Sequence, residues 1–125
     1  GQTAHPFEPY FDLFPRLAER RDQPAGTMSG GERKILAFVR SMIEDTNVII
    51  LDEPSEGVQP ENIESMAECV RKRVNAGAGV FLCEQNLSFL TRISDHYLGI
   101  DTGNIIIDRP ATDITPDEVR SALSL

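Results

Sequence analysis

The sequence predicts an α/β fold with a mostly parallel sheet flanked by helices and a terminal hairpin. Two short apolar runs, Val48–Leu51 and Val80–Cys83, have the length and composition of buried strands. Amphipathic helical patterns alternate with these runs, and that alternation is typical of a sheet whose core is parallel. Near the end of the chain, the turn-forming segment Asp101–Asn104 separates two further apolar runs and predicts a hairpin.

Helical spacing of apolar residues accounts for the first half of the chain. It predicts a helix over residues 8–20, which Pro15 kinks or splits, and then a polar loop over residues 20–26. A second helix is predicted from Gly30 to Glu44. Its apolar stripe consists of Ile35, Leu36, Val39, Met42 and Ile43. A third helix is predicted over residues 61–75, because Pro60 favours the first helical position and Gly77 favours a stop.

The helices and strands predicted in the second half of the chain are shorter. A helix is predicted over residues 87–94, and the hairpin strands over Tyr97–Ile100 and Ile105–Ile107. Thr115 is expected to cap a last helix, because Pro116 and two acidic residues follow it in the first turn.

Composition excludes several classes of protein. The chain has 125 residues, with 12 Lys and Arg against 20 Asp and Glu, which gives a net charge of −8. A nucleic-acid-binding protein needs a basic face, so this class is not expected. No apolar run approaches the roughly 20 residues of a membrane span, and no secretory leader is recognised at the start. Because Gly1 is not Met, the chain is expected to begin inside a longer product or after a cleaved tag.

Cysteine and histidine residues do not suggest a metal or disulfide framework. Cys69 and Cys83 lie far apart in the sequence and are expected to be reduced thiols. His5 and His96 have no other ligand at the spacing that a zinc site needs.

The segment Met28–Glu32 combines a helix cap with two glycines. Ser29 and Glu32 have the spacing of a capping box, in which each side chain satisfies the other residue's backbone amide. Adjacent glycines in a helix cost about 1 kcal/mol each relative to alanine, so they indicate that some group approaches the backbone closely. The segment is therefore either a well-capped helix or a phosphate site at a helix N-terminus.

Two carboxylates follow the first apolar run. Successive strand residues point to opposite faces, so Asp52 and Glu53 are expected to have different roles. One of them could face a metal ion through water while the other faces an attacking water. A surface turn with two solvated acids is the alternative.

Taken together, these motifs resemble the C-terminal half of an ABC-type P-loop ATPase domain. Met28–Glu32 is similar to the family signature, commonly Leu-Ser-Gly-Gly-Gln, and Leu51–Ser55 is similar to the Walker B strand with its catalytic glutamate. Glu56–Gln59 occupies the place of the D-loop, and Val80–Asn86 that of the switch strand. The resemblance covers about residues 8–125.

The resemblance implies ATP and Mg²⁺ as cofactors and assigns a role to each motif residue. Asp52 would hold Mg²⁺ through water, Glu53 would be the general base, and Gln85 would sense the γ-phosphate. The signature would bind, in trans, the nucleotide of a second subunit; its residues are Ser29, Gly30, Gly31 and Glu32. The D-loop would make contacts across that dimer; its residues are Glu56, Gly57, Val58 and Gln59.

Three departures from the family pattern qualify that assignment. The phosphate loop is missing: Gly26 and Gly31 have its first spacing, but Glu32 stands where the motif needs lysine. Gln85 replaces the usual histidine and cannot transfer a proton near neutral pH, which leaves Glu53 as the general base. Gln59 replaces the usual aspartate of the D-loop.

The missing phosphate loop predicts a single fragment of the ATPase domain, without its Walker A half. Residues 8–46 would be the rest of the helical subdomain and the signature helix. Residues 47–125 would be the Walker B, D-loop and switch regions with the C-terminal strands and helix. By itself this fragment is expected to be inactive and to self-associate, either through an unpaired strand edge of its sheet or through an exposed apolar face.

Several segments narrow the resemblance to importers. Leu13–Leu17, Ala25–Glu32 and Glu84–Asn86 are similar to the ATP-binding subunits of branched-chain amino acid importers. Glu56–Pro60 is closer to the related urea and short-chain amide importers. The resemblance implies a head-to-tail dimer of ATPase subunits. This dimer would lie in the cytoplasm and bind permease subunits at the inner face of the cell membrane.

Two other functions remain open at this stage. One is a soluble ABC-type ATPase acting in DNA repair, chromosome structure or translation. The other is a non-catalytic dimerisation module formed by the fragment alone.

Overall fold

The structure, a computed structural model, describes residues 6–19 and 28–123. The loop predicted over residues 20–26 lies outside these described residues. The chain divides into two compact units, the first ending at Glu84 and the second beginning at Gln85. Each unit is described by itself below.

Four helices and two strands form the described part of the first unit. They are α1 (Glu8–Phe11), α2 (Pro15–Glu19), α3 (Gly30–Ile43), β1 (Val48–Asp52), α4 (Pro60–Asn75) and β2 (Gly79–Cys83). The helix predicted over residues 8–20 is split at Pro15, which opens α2, as the ring of proline and its missing N–H favour. The two long helices begin and end within one residue of their predicted bounds.

Helix α3 buries one face against the rest of the unit. Its buried residues are Ile35, Phe38, Val39 and Met42. The predicted stripe missed Phe38, whose ring meets that of Phe14 edge-to-face with 6.3 Å between centroids. Phe14 is itself fully buried, so the short helices α1 and α2 are held to α3 through this aromatic pair.

Arg73 of α4 satisfies the C-terminal end of α3. Its guanidinium donates to the backbone oxygens of Met42, Glu44 and Thr46, the last at 2.9 Å. The final carbonyls of a helix have no partner within the helix and carry partial negative charge. A cation on α4 therefore fixes the connection from α3 to β1.

Strands β1 and β2 pair in parallel, as the alternation of elements predicts. Val48 lies opposite Gly79, and the register runs to Asp52 opposite Cys83, so both strands end at the same edge. Ile49 and Leu51 are buried, whereas Val48 and Ile50 are exposed. The prediction that the whole run is buried is thus wrong for these two residues, because α3 and α4 pack on one face of the pair.

The other face of this pair is apolar and exposed. Ile50 is 72% exposed and its neighbour across the strands, Phe81, is 51% exposed. Side chains this apolar and this exposed, adjacent to one another, are unusual on the surface of a monomer.

The second unit contains a helix, a hairpin and a final helix. Its elements are α5 (Leu87–Ile93), β3 (His96–Asp101), β4 (Asn104–Pro110) and α6 (Pro116–Ala122). The predicted hairpin is antiparallel, with φ of 79° at Gly103 in its turn. Thr115 caps α6 and exchanges hydrogen bonds with Glu118 in a full capping box. A small apolar core joins these elements; its members are Leu87, Tyr97, Ile107, Ile114 and Val119.

Within the described ranges, no helix has the length and apolar character required to cross a membrane.

Candidate functional site

The candidate site begins at the N-terminus of α3. Ser29 is the N-cap residue, and its Oγ accepts a hydrogen bond of 3.1 Å from the backbone N–H of Glu32. This is the Ser29 half of the predicted capping box. It fixes the first turn of α3, where backbone amides point out of the helix end and the helix dipole favours an anion.

The two glycines of this turn have different surroundings. A Cβ on Gly31 would lie 2.9 Å from the carbonyl oxygen of Gly57, closer than real Cβ contacts allow. A Cβ on Gly30 would have no heavy atom of the described residues within 4 Å. The close approach predicted from the glycine pair is thus made by the chain itself at Gly31. At Gly30 the backbone faces open space that a ligand could enter.

Glu32 extends from the same turn toward α2. Its Oε1 lies 3.6 Å from a guanidinium nitrogen of Arg16, and its side chain is 14% exposed. Arg16 also pairs with Glu19 at 2.9 Å. Glu32 therefore has a packing role between α2 and α3 in addition to any contact with a nucleotide.

Asp52 and Glu53 lie at the carboxyl end of β1. Asp52 is the last strand residue and is exposed, beside Cys83 at the end of β2. Glu53 lies outside the strand with a φ of 47°, in the left-handed region. Because Glu53 lies in this turn and not in the strand, the alternation of side chains along a strand does not set its direction relative to Asp52.

Residues 53–57 form a turn that contains the predicted general base and is named the catalytic turn after that prediction. Three contacts, from β2 and α3, hold it in place. The N–H of Glu53 donates to the carbonyl of Cys83 at 2.8 Å, which continues the pairing of β1 with β2 by one residue. Lys34 of α3 donates from Nζ to the carbonyl oxygen of Glu53 at 3.1 Å. At the other end of the turn, Gly57 has a φ of 73° and contacts Gly31.

Ser55 anchors the middle of the catalytic turn. Its backbone N–H donates to Oε1 of Glu84 at 3.0 Å, and its hydroxyl makes a second, short hydrogen bond to the same oxygen. Ser55 is a buried polar residue of the first unit, being 6% exposed. A buried hydroxyl needs a partner, and a carboxylate acceptor gives a strong one. Glu84 thus ties the turn to the end of β2.

The pKa of the Glu53 carboxyl is raised above its ordinary value. The main cause is the neighbouring carboxylate of Glu56, followed by desolvation and a side-chain hydrogen bond with Glu56. The negative charges of Asp52 and Glu84 add to the shift. Since like charges disfavour ionisation, the acidic cluster makes Glu53 a better proton acceptor than an isolated glutamate.

The D-loop residues connect the catalytic turn to α4. Glu56 and Gly57 are exposed, and the N–H of Val58 donates to the carbonyl of Ser55 at 3.1 Å. Gln59 is the N-cap residue of α4, but its side chain makes no capping hydrogen bond. The amide of Gln59 is thus not used to cap its own helix.

Gln85 is the first residue of the second unit and is exposed. Gln85, the predicted switch residue, directly follows Glu84, which accepts the hydrogen bonds of Ser55 in the catalytic turn. The structure brings the signature, Walker B and D-loop residues together within the first unit, and Gln85 belongs to the next.

The sequence motifs assign no individual role to three residues that shape this site. Lys34 lies three residues after Gly31 and four after Gly30, so helical periodicity places it on their face. Ser55 and Glu84 lie within the quoted motif segments, but no sequence signal pairs them across 29 positions.

The donor set at the end of β1 suits Mg²⁺ better than a metal held by the protein alone. The described residues contain no group of three or more His, Cys, Asp and Glu side chains that could enclose a metal ion. Mg²⁺ usually keeps several waters and takes one or two carboxylates together with substrate phosphates. The exposed carboxylate of Asp52 fits that mode.

Comparisons with known proteins agree with this geometry. The ABC transporter family model matches residues 8–56, which include the signature and Walker B residues. The chain resembles ABC transporter ATP-binding subunits, as its motifs predict.

Two curated relatives show the extent of the likeness. The high-affinity branched-chain amino acid transport ATP-binding protein BraG of Pseudomonas aeruginosa is 39% identical over 89% of this chain and 48% of its own length. The probable branched-chain amino acid transport ATP-binding protein LivF of Archaeoglobus fulgidus is 32% identical over 86% of this chain and 46% of its own length. The chain spans about half the length of the curated relatives it matches.

A solved structure of an ATP-binding subunit of an ABC transporter confirms the fold. It superposes with a TM-score of 0.82 over 95% of this chain and 53% of its own length, at 22% identity. The predicted fold, part of an ABC-type ATPase domain, is confirmed.

Proposed function

We propose that this chain is the C-terminal part of an ATP-hydrolysing subunit of an ABC importer. The observation that carries the proposal is the catalytic turn: it places Glu53 at the end of a parallel strand, beside Asp52 and in contact with the signature helix. The relatives named for branched-chain amino acid transport support such amino acids as the transported substrate. Import, and related small amides as another substrate, are proposed from the resemblance of the sequence motifs.

Glu53 has the properties that a general base for ATP hydrolysis needs. Its carboxylate stands at the surface, where a water could approach, and the surrounding acids raise its pKa. A base is most effective when its pKa approaches the working pH, so this acidic cluster favours proton transfer from the attacking water. Asp52 would hold Mg²⁺ through water. The ion would neutralise charge on the phosphate oxygens.

The signature turn would act on the nucleotide of a second subunit. The open side of Gly30 and the amides at the N-terminus of α3 suit the γ-phosphate. Gln85 would donate a hydrogen bond to the γ-phosphate within its own subunit. ATP would therefore close a head-to-tail dimer whose D-loops, Glu56–Gln59, meet at the interface.

The other components of the proposed transporter would come from outside this chain. A Walker A half would supply the phosphate loop, and permease subunits would hold the ATPase at the inner face of the membrane. Within the chain, we assign residues 8–46 to the helical subdomain and residues 47–125 to the catalytic subdomain of such a protein.

The test is substitution of Glu53 in the intact subunit. Glu53→Gln retains the shape of the side chain and removes the base, so turnover should fall by a factor of about 10²–10⁴ while ATP-dependent dimerisation persists. Glu61→Gln, an exposed acid in the first turn of α4, is the matched control and should leave both unchanged. Hydrolysis within threefold of wild type in Glu53→Gln would show that Glu53 is not the base.

A further inference from the structure

Glu53 has a backbone conformation that its surroundings must hold. Its φ of 47° lies in the left-handed region, which residues with a side chain adopt rarely and at an energetic cost. Such a conformation persists where neighbouring groups fix the peptide on each side. The N–H side of Glu53 is fixed by the carbonyl of Cys83 at 2.8 Å, in continuation of the sheet.

The carbonyl side of Glu53 is fixed by Lys34. Its Nζ donates to the carbonyl oxygen of Glu53 at 3.1 Å, in a partly buried position. A hydrogen bond from an ammonium group is stronger than one between neutral groups. The contact goes to the main chain of Glu53, so Lys34 acts on the direction of the peptide and hence on where the side chain emerges.

The helix that carries Lys34 is itself seated on the same turn. Gly31, one helical turn before Lys34, lies against the carbonyl of Gly57 with no room for a Cβ. Helix α3 thus contacts the first and the last residue of the catalytic turn. This double contact seats α3, and with it the backbone of Lys34, against both ends of the catalytic turn.

We propose that Lys34 is a positioning residue for ATP hydrolysis, which holds the Glu53 peptide so that its carboxylate faces the attacking water. The proposal rests on the function proposed above. A displacement of a catalytic group by about 1 Å can cost about 100-fold in rate, so loss of this hydrogen bond should be visible in turnover.

The experiment compares four variants of the intact subunit. Lys34→Met keeps much of the side chain's length without the donor, and Lys34→Gln is too short to reach the Glu53 carbonyl. Both should lower kcat at least about tenfold, with KM for ATP within about twofold of wild type. Lys34→Arg restores a long cationic donor and should recover most of kcat. Lys72→Met, at an exposed position of α4, is the control and should match wild type.

A double variant separates positioning from a general structural role. If Lys34 acts through Glu53, adding Lys34→Met to Glu53→Gln should not reduce the residual rate further, and ATP-dependent dimerisation should be unchanged. Additive losses, or wild-type kcat in both Lys34→Met and Lys34→Gln, would overturn the proposal.

The same set of variants tests the underlying function separately. If Glu53→Gln loses turnover while the Lys34 variants do not, the role of Lys34 alone is refuted. If Glu53→Gln keeps turnover, the base has been assigned wrongly and the role of Lys34 is refuted with it.

Discussion

The two glycines of the signature allow a test of whether Gly31 is required by its packing against Gly57, because their surroundings in the structure differ. Replacing Gly30 by alanine adds a methyl group that faces open space, whereas replacing Gly31 adds one at 2.9 Å from the carbonyl oxygen of Gly57. Both residues lie in the first turn of α3, so the gain in helix propensity, up to about 1 kcal/mol, is similar for the two variants. The difference between their stabilities therefore isolates the contact.

The size of that difference follows from the contact distance. Ordinary van der Waals contact of a Cβ begins at 3.4 Å, so Gly31→Ala requires a displacement of about 0.5 Å. The opposing atom belongs to the backbone, so it cannot rotate away as the end of a flexible side chain would. Overpacking of this kind costs about 1–3 kcal/mol. Gly30→Ala should be neutral or slightly stabilising.

Urea unfolding of the intact subunit and its two variants, without nucleotide, measures the difference. With an m-value of about 2 kcal/mol/M, the midpoint of Gly31→Ala should lie about 0.5–1.5 M below that of Gly30→Ala. Equal midpoints would refute the argument that Gly31 is required by packing against the catalytic turn. The proposed function adds a second expectation: Gly30→Ala should weaken ATP-dependent dimerisation without loss of stability.

Four further predictions concern the chain by itself. Calorimetry with Mg-ATP should detect no micromolar binding, because the phosphate loop and its lysine are missing from the sequence; tight binding would reveal a site not recognised here. Light scattering should show self-association that the double variant Ile50→Thr/Phe81→Thr reduces, since both side chains are exposed on one face of the β1–β2 pair; a strictly monomeric chain at high micromolar concentration would contradict this. Ellman's reagent should label exposed Cys83 rapidly and Cys69 only on unfolding, because burial raises the pKa of the Cys69 thiol to about 11. That raised pKa also predicts stability that falls between pH 9 and about 11, because the unfolded thiol ionises first near 9.0. The fall should be shallower in Cys69→Ala, in which the raised pKa values of Tyr10 and Tyr97 still contribute.

Local signals in the sequence were sufficient for most elements and for the ends of the long helices, although β4 runs from Asn104 to Pro110 and not over the predicted Ile105–Ile107. Pro15 splits the first helical segment, Pro60 opens α4, and Thr115 caps α6, as predicted. Each of these effects depends on a residue and its neighbours within one helical turn, so no tertiary information is needed. The parallel pairing of β1 with β2 also followed, because a helix between two strands leaves parallel pairing as the simple solution.

Burial along β1 could not be predicted in the same way. Four consecutive aliphatic residues predict a strand covered on both faces, yet Ile49 is buried and Ile50 is exposed. The apolar residues show only that either face of the strand could be buried. Which face is covered depends on elements elsewhere in the fold, here α3 and α4 on the side of Ile49.

The same distinction explains what was found and missed at the site. Asp52, Glu53 and the signature residues were recognised because their chemistry and spacing are local, but Lys34 reaches Glu53 across 19 positions of sequence. The glycine pair shows the limit most clearly. From the sequence, the two glycines together predict that some group approaches the helix backbone closely. In the structure, the carbonyl of Gly57 approaches Gly31, whereas Gly30 has no heavy atom of the described residues within 4 Å of an added Cβ. The open side of Gly30 is then available to the proposed ligand, and Gly31 fits α3 to the turn that carries Glu53, the proposed base. The first two turns of α3 carry both Lys34, which contacts the Glu53 carbonyl, and the backbone amides proposed to bind a partner's nucleotide. A movement of α3 on nucleotide binding would therefore displace the catalytic turn directly.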